Sequence, residues 1–128
     1  MRGKMSKSIL IIDDEEGILG IVRASLEARG GWRVLTACSG KEGLARACTE
    51  RPDAILLDWT MSDLDGAATL QQLRANPATR TIPVVLLTAK VQSADWHRFA
   101  SLQVVGVISK PFDPLRLAAQ ISMALGWS

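Results

Sequence analysis

Cysteine, histidine and long apolar runs are scarce in this chain. Of 128 residues, 2 are cysteines, Cys38 and Cys48, and 1 is a histidine, His97. The cysteines form no disulfide framework and lack zinc-site spacing. Cys38 follows a predicted strand and Cys48 lies on a predicted helix, so both are expected to be reduced thiols of a cytoplasmic protein. No apolar stretch approaches the ~20 residues of a membrane span. Met1 to Ser8 carries Arg2, Lys4 and Lys7 ahead of a strand too short for a signal-peptide core. Net charge is +2, too small to argue for nucleic acid or an acidic membrane surface as a partner. There is no internal repeat and no low-complexity tract. What remains is globular in character, with 48% hydrophobic and 22% charged residues. The length suits one domain with a real core. Residues 1–7 are expected to be a flexible lead-in and residues 8–128 a single domain, with nothing at the end that reads as a linker or a separate output module.

The chain alternates between apolar runs and amphipathic stretches. Strands are predicted at Ser8–Ile12, Trp32–Ala37, Ala54–Leu57, Ile82–Leu87 and Val104–Ile108. Helices are predicted at Glu15–Arg29, Lys41–Glu50, Gly66–Arg74, Ser93–Ala100 and Pro114–Leu125. Ser39 is placed to cap the second helix and Asp113 the fifth, with Pro114 at the favoured first position. Gly30-Gly31 and Gly126 suit helix stops. The strands are continuous apolar runs, as strands covered on both faces should be. Alternation of this kind implies an α/β fold: a (βα)5 doubly wound parallel sheet of order 2-1-3-4-5.

Such sheets bind ligands at the carboxyl ends of their strands, and polar residues collect there. The first strand runs into Asp13-Asp14 and the third into Asp58. The fourth runs into Thr88 and the fifth toward Lys110. Two carboxylates ~4 Å apart repel by roughly 4 kcal/mol at a surface-like effective dielectric, unless one is protonated or a cation binds. Hard oxygen ligands suit Mg²⁺, and neither imidazole nor thiolate is near in sequence. The expected site uses Asp14 and Asp58 directly and Asp13 through water. A cation beside a carboxylate, a fixed ammonium and a hydroxyl can together handle a phosphoryl group, with Asp58 as nucleophile. Taken singly, Lys110 reads as a solvated charge, Thr88 as structural, and Asp13 or Asp14 as helix-cap residues. Their weight is joint.

These residues sit in segments that resemble the response-regulator receiver domain, the CheY-like module of two-component signalling. The segments are Ile11-Ile12-Asp13-Asp14-Glu15, Leu56-Leu57-Asp58-Trp59-Thr60-Met61, Asp65-Gly66, Leu86-Leu87-Thr88-Ala89 and Ser109-Lys110-Pro111-Phe112. Each is short; their order makes the set specific, over roughly Ser8 to Leu125. The resemblance implies that Asp58 accepts a phosphoryl group from a phosphohistidine on a sensor histidine kinase or a histidine phosphotransfer protein. It implies that Asp13, Asp14, Asp58 and the Thr60 main-chain carbonyl serve Mg²⁺, and that Thr88 and Lys110 contact the phosphoryl group. Autodephosphorylation is implied too, with Thr60 and Lys90 as candidates for setting its rate. Readout is expected on the face of the fourth helix, fifth strand and fifth helix, toward an effector protein. The fifth helix shows no salt-bridged dimer surface, so a monomer or weak dimer is expected. His97 is read as an exposed polar residue. Two positions depart from the family pattern: Ser62 replaces a proline, and Val107 replaces the aromatic residue whose ring moves on activation.

Three other readings compete. A haloacid-dehalogenase-type phosphatase needs a second aspartate two positions after its nucleophile, where this chain has Thr60. A receiver-like scaffold would act by protein binding without phosphate, which Val107 and Ser62 leave open. A flavodoxin-like flavin carrier needs a Ser/Thr/Gly-rich loop after the first strand, and none is there.

Overall fold

Five apolar runs form one parallel sheet of order β2-β1-β3-β4-β5. The strands are β1 (Ser8–Ile12), β2 (Arg33–Ala37), β3 (Ala54–Asp58), β4 (Val84–Thr88) and β5 (Val104–Ser109). The computed structural model describes residues 7–61, 65–89, 97 and 99–127. The expected α/β architecture and strand order are both present. Every residue of β1, β3 and β4 is buried, which explains their unbroken apolar sequence: helices cover both sides.

Strand alternation divides the core into two layers. Ile9, Ile11, Leu56, Val85 and Leu87 face α1 (Glu16–Ser25) and the C-terminal helix (Leu117–Leu125). Leu10, Ile12, Ile55, Leu57 and Leu86 face α2 (Gly40–Glu50) and α3 (Gly66–Ala75), together with Phe99. Helix entries are set by local chemistry. Ser39 Oγ accepts the Glu42 N–H at 3.0 Å, while Glu42 reaches back to the Cys38 N–H at 2.8 Å. Asp65 Oδ1 accepts the Ala68 N–H at 2.8 Å. Gly43 lets α2 lie against β1, because an added Cβ would stand 2.5 Å from Ile12 Cδ1.

Several boundaries differ from expectation. The first helix ends at Ser25 and widens into a π segment, Leu26–Gly30, before Gly31 at φ 68°. β3 runs one residue beyond the expected Leu57 and takes in Asp58. β4 starts at Val84, since Pro83 has no N–H for a ladder and offers only its carbonyl, which accepts the Ile55 N–H at 3.0 Å. The last helix starts at Leu117, not Pro114, and Arg116 stands at its N-cap without a side-chain cap. Asp113 instead accepts the Leu115 N–H at 2.9 Å, closing a turn before the helix. Of the predicted helix Ser93–Ala100, only residues 97, 99 and 100 are described, all helical; the rest lies outside the described residues, as do Ser62 and Lys90.

Arg74, at the end of α3, ties the edge of the sheet together. Its guanidinium donates to the carbonyls of Leu102 at 2.8 Å, Arg80 at 3.1 Å and Ile82 at 2.8 Å. Those carbonyls belong to the segments leading into β4 and β5. A planar fork of donors spans them; an ammonium cannot. Arg74→Ala is expected to lower stability by roughly 2–4 kcal/mol, and Arg74→Lys to recover less than half of that, as read by urea denaturation.

Candidate functional site

The register of β1 and β3 pairs Ile12 with Leu57. Asp13 and Asp58 therefore come next to one another at the sheet edge. Alternation puts both on the α1 side, with Ile11 and Leu56. Lys110, two residues after Ile108 of the same layer, joins them from β5. Asp13 is only 1% exposed and Asp58 only 3%. Carboxylates this buried require partners. Lys110 Nζ lies 3.4 Å from Asp13 Oδ2 and 3.4 Å from Asp58 Oδ1. The Glu15 N–H donates to Asp13 Oδ1 at 2.9 Å, and the Thr60 N–H donates to Asp58 Oδ1 at 3.2 Å. Lys110 is itself anchored, because its N–H donates to the Thr88 carbonyl at 2.8 Å.

One ammonium does not balance this much negative charge. Burial, above all, pushes the Asp58 carboxyl up to about 6, and the Asp13 charge adds to it; the Thr60 N–H and Lys110 pull the other way. For Lys110, burial pulls the ammonium down, but Asp13 and Asp58 outweigh it and its pKa is raised. The Lys110 shift reflects the acids around it, and the Asp58 shift reflects chiefly its burial. Asp13, Asp14 and Asp58 each offer a carboxylate oxygen within 4.8 Å of the other two. An oxygen-rich, cation-poor cluster of that size fits a hard divalent ion.

Of the expected site residues, Asp13, Asp14, Asp58 and Lys110 come together. Thr60 is exposed beside Asp58 and holds it through its N–H. Thr88 reaches the same edge but is buried, on the opposite layer with Val84 and Leu86. Glu15 and Gly66 stand in the family-like segments but were given no role at the site from sequence. Glu15 Oε1 lies 3.8 Å from Lys110 Nζ; in sequence it read only as a helix-start acid. Gly66 holds α3 against the site: its N–H donates to the Trp59 carbonyl at 3.0 Å, and an added Cβ would stand 2.6 Å from Trp59 Cα. An apolar recess of about 410 Å³, lined by residues including Ile18, Ile21, Ala89, Lys110 and Phe112, opens beside Lys110. No linear motif announces it, since its walls come from α1 and from the turns after β4 and β5.

Comparison with known proteins decides the family. The profile of the response regulator receiver domain matches residues 9–122. The chain belongs to that family. As a receiver domain, it is 38% identical over 121 residues to the alkaline phosphatase synthesis transcriptional regulatory protein PhoP of Bacillus subtilis, covering 94% of this chain and 49% of PhoP. It is 37% identical over 117 residues to the response regulator PleD of Caulobacter vibrioides, covering 91% of this chain and 26% of PleD. The receiver domain thus spans about half of the one relative and about a quarter of the other. Its fold is similar to that of chemotaxis protein CheY4 of Vibrio cholerae, with a TM-score of 0.86 at 26% identity over 93% of this chain and 98% of that one. It is also similar to the receiver domain of sensor histidine kinase PA1611 from Pseudomonas aeruginosa, with a TM-score of 0.82 at 26% identity over 94% of this chain and 98% of that one. That structure has a magnesium ion coordinated in its active-site cleft. Receiver domains of response regulators are signalling modules, not classical enzymes, and an acidic pocket such as Asp13/Asp14/Asp58 is typical of their phosphorylation site.

The raised Asp58 pKa has a consequence for stability. Its folded value of about 6 exceeds the ordinary 3.8. The native state thus holds an ionised Asp58 at a cost that is present above about pH 6 and vanishes as pH falls toward the unfolded value. In metal-free buffer, Asp58→Asn is expected to be more stable than wild type by roughly 1–3 kcal/mol at pH 7.5. The gap should close as pH falls from about 6 to about 4, as read from urea midpoints across that range.

Proposed function

We propose that this receiver domain accepts a phosphoryl group on Asp58 from the phosphohistidine of a partner sensor kinase or phosphotransfer protein. The observation that carries the reading is the pair of buried carboxylates, Asp13 and Asp58, sharing Lys110 at 3.4 Å. An Asp58 oxygen bonds to phosphorus as the P–N bond of the donor breaks. Lys110, already 3.4 Å from Asp58 Oδ1, faces the charge on the transferring oxygens. The Thr60 N–H holds the nucleophile in place. Thr88, at the end of β4, supplies a hydroxyl for another phosphoryl oxygen. Asp13, Asp14 and Asp58 would hold Mg²⁺, with the Thr60 carbonyl as a further ligand. Bound there, such an ion would offset the carboxylate charge and the charge developing on the phosphoryl group. Water attacking the same phosphorus later returns Asp58 and releases inorganic phosphate, with Thr60 and Lys90 governing access.

The phosphoryl group adds about −1.5 to −2 charge to the edge where β4 and β5 end. We assign the readout to the face of residues 97 and 99–101, β5 and the C-terminal helix, toward an effector protein. Val105 and Met123 are exposed there, Met123 to 84%, while Leu117, Ala118 and Ile121 hold the helix to the core. Residues 8–128 act as a single receiver unit behind a lead-in at 1–7. The unit works as a monomer or weak dimer in the cytoplasm, without direct contact to nucleic acid or membrane. No helix of the described residues is long and apolar enough to cross a membrane.

Acetyl phosphate with Mg²⁺ is expected to add one phosphoryl group to the wild-type chain, seen by intact mass, and none to Asp58→Asn. EDTA should abolish the adduct, and Mg²⁺ alone should change the fluorescence of Trp59. A wild-type chain that stays unmodified would favour a scaffold that works without phosphate.

The recess beside Lys110 fits the donor protein, since Lys110 lines it and also stands 3.4 Å from Asp58 Oδ1. Ile21, 49% exposed at its rim, offers an apolar contact. Ile21→Glu is expected to slow transfer from a phosphorylated donor protein about tenfold, equivalent to about 1.4 kcal/mol. Modification by acetyl phosphate should stay within about twofold of wild type, because that small donor needs no docking surface.

A further inference from the structure

Residue 107 cannot carry a signal by swinging a ring, because it is Val107, half-buried in β5. Another aromatic link to the phosphoacceptor is present. Trp59 follows Asp58 directly, and its ring meets that of Phe99 edge to face, with centroids 4.8 Å apart and planes at 86°. Phe99 is buried and shares a core layer with Leu86 and Val107. By alternation, Thr88 emerges on this same layer. The backbone of Trp59 is pinned on both sides: its N–H donates to the Leu87 carbonyl at 3.0 Å, and its carbonyl accepts the Gly66 N–H at 3.0 Å. These bonds fix where the Trp59 ring leaves the backbone, directly beside Asp58.

Beside Phe99 there is room to receive movement. A recess of about 240 Å³ is lined by Phe99, Ala100, Val104, Val105, Gly106 and Val107. An apolar cavity of roughly 150 Å³ is enough to hold a benzene molecule. The small side chain at 107 helps leave this space, on the face where readout is placed.

We infer that the Trp59–Phe99 pair couples the phosphoacceptor to the β5 face, with Phe99 shifting into the recess beside Val107 when Asp58 is modified. Asp58 and Thr88 set the ring pair; Val107 supplies the vacant space and not the moving group. The inference rests on Asp58 as the phosphoacceptor.

The test loads the full chain with Mg²⁺ and beryllofluoride. Fluorine NMR reads occupancy of the site, and amide NMR reads the shifts at Val104 and Gly106. In wild type, both are expected to respond. Phe99→Leu is expected to load normally while the Val104 and Gly106 shifts fall to half or less. Val107→Phe, which fills the recess, is expected to do the same and decides the matter if Phe99→Leu does not fold. Normal loading with undiminished shifts in the folded variants would overturn the coupling and leave the phosphoacceptor reading intact. A wild-type chain that does not load would overturn that reading, and the coupling with it.

Discussion

Two buried carboxylates share one ammonium, and the rest of the site follows from that imbalance. Asp13 and Asp58 are forced together by the pairing of β1 with β3, and Lys110 arrives from β5. Burial raises the cost of each negative charge, and the single lysine meets only part of it. A pocket in this condition favours whatever brings positive charge or removes negative charge. A divalent cation does the first; protonation of Asp58 does the second.

The scaffold keeps this imbalance local. β1, β3 and β4 are buried along their whole length, so the sheet cannot relax by bending an acid into solvent. Gly66 brings α3 hard against the backbone of Asp58 and Trp59, and Arg74 fixes the far edge by binding carbonyls from two segments. The two layers then divide the work. Charge gathers on the α1 side with Asp13, Asp58 and Lys110. Trp59 and Phe99 pack on the other side, and Thr88 reaches the edge from that layer.

Much of this was legible in the residues. Unbroken apolar runs gave the strands, because a strand covered on both faces has no polar positions to spare. Acids and a lysine just past those runs marked the sheet edge at which they gather. The boundaries that shifted did so for local reasons. Pro83 lacks a donor, which delays β4, and Asp113 closes a turn of its own, which delays the last helix to Leu117. Glu15 was visible as an acid at a helix start, yet its nearness to Lys110 depends on where β5 ends. The contact of Trp59 with Phe99 joins residues 59 and 99 across the fold, and no local pattern encodes it.

The order of residues by itself determined the five apolar strands, the parallel arrangement and the identity of the acids and the lysine at one rim, because periodicity and strand-end position are local properties. Only the tertiary structure decided which of them share a face, how deeply Asp13 and Asp58 are buried, and that one lysine lies between them. Those outcomes depend on register between strands distant in the chain. A side chain's charge is written in its residue type, but the cost of that charge is set by the neighbours that exclude water from it.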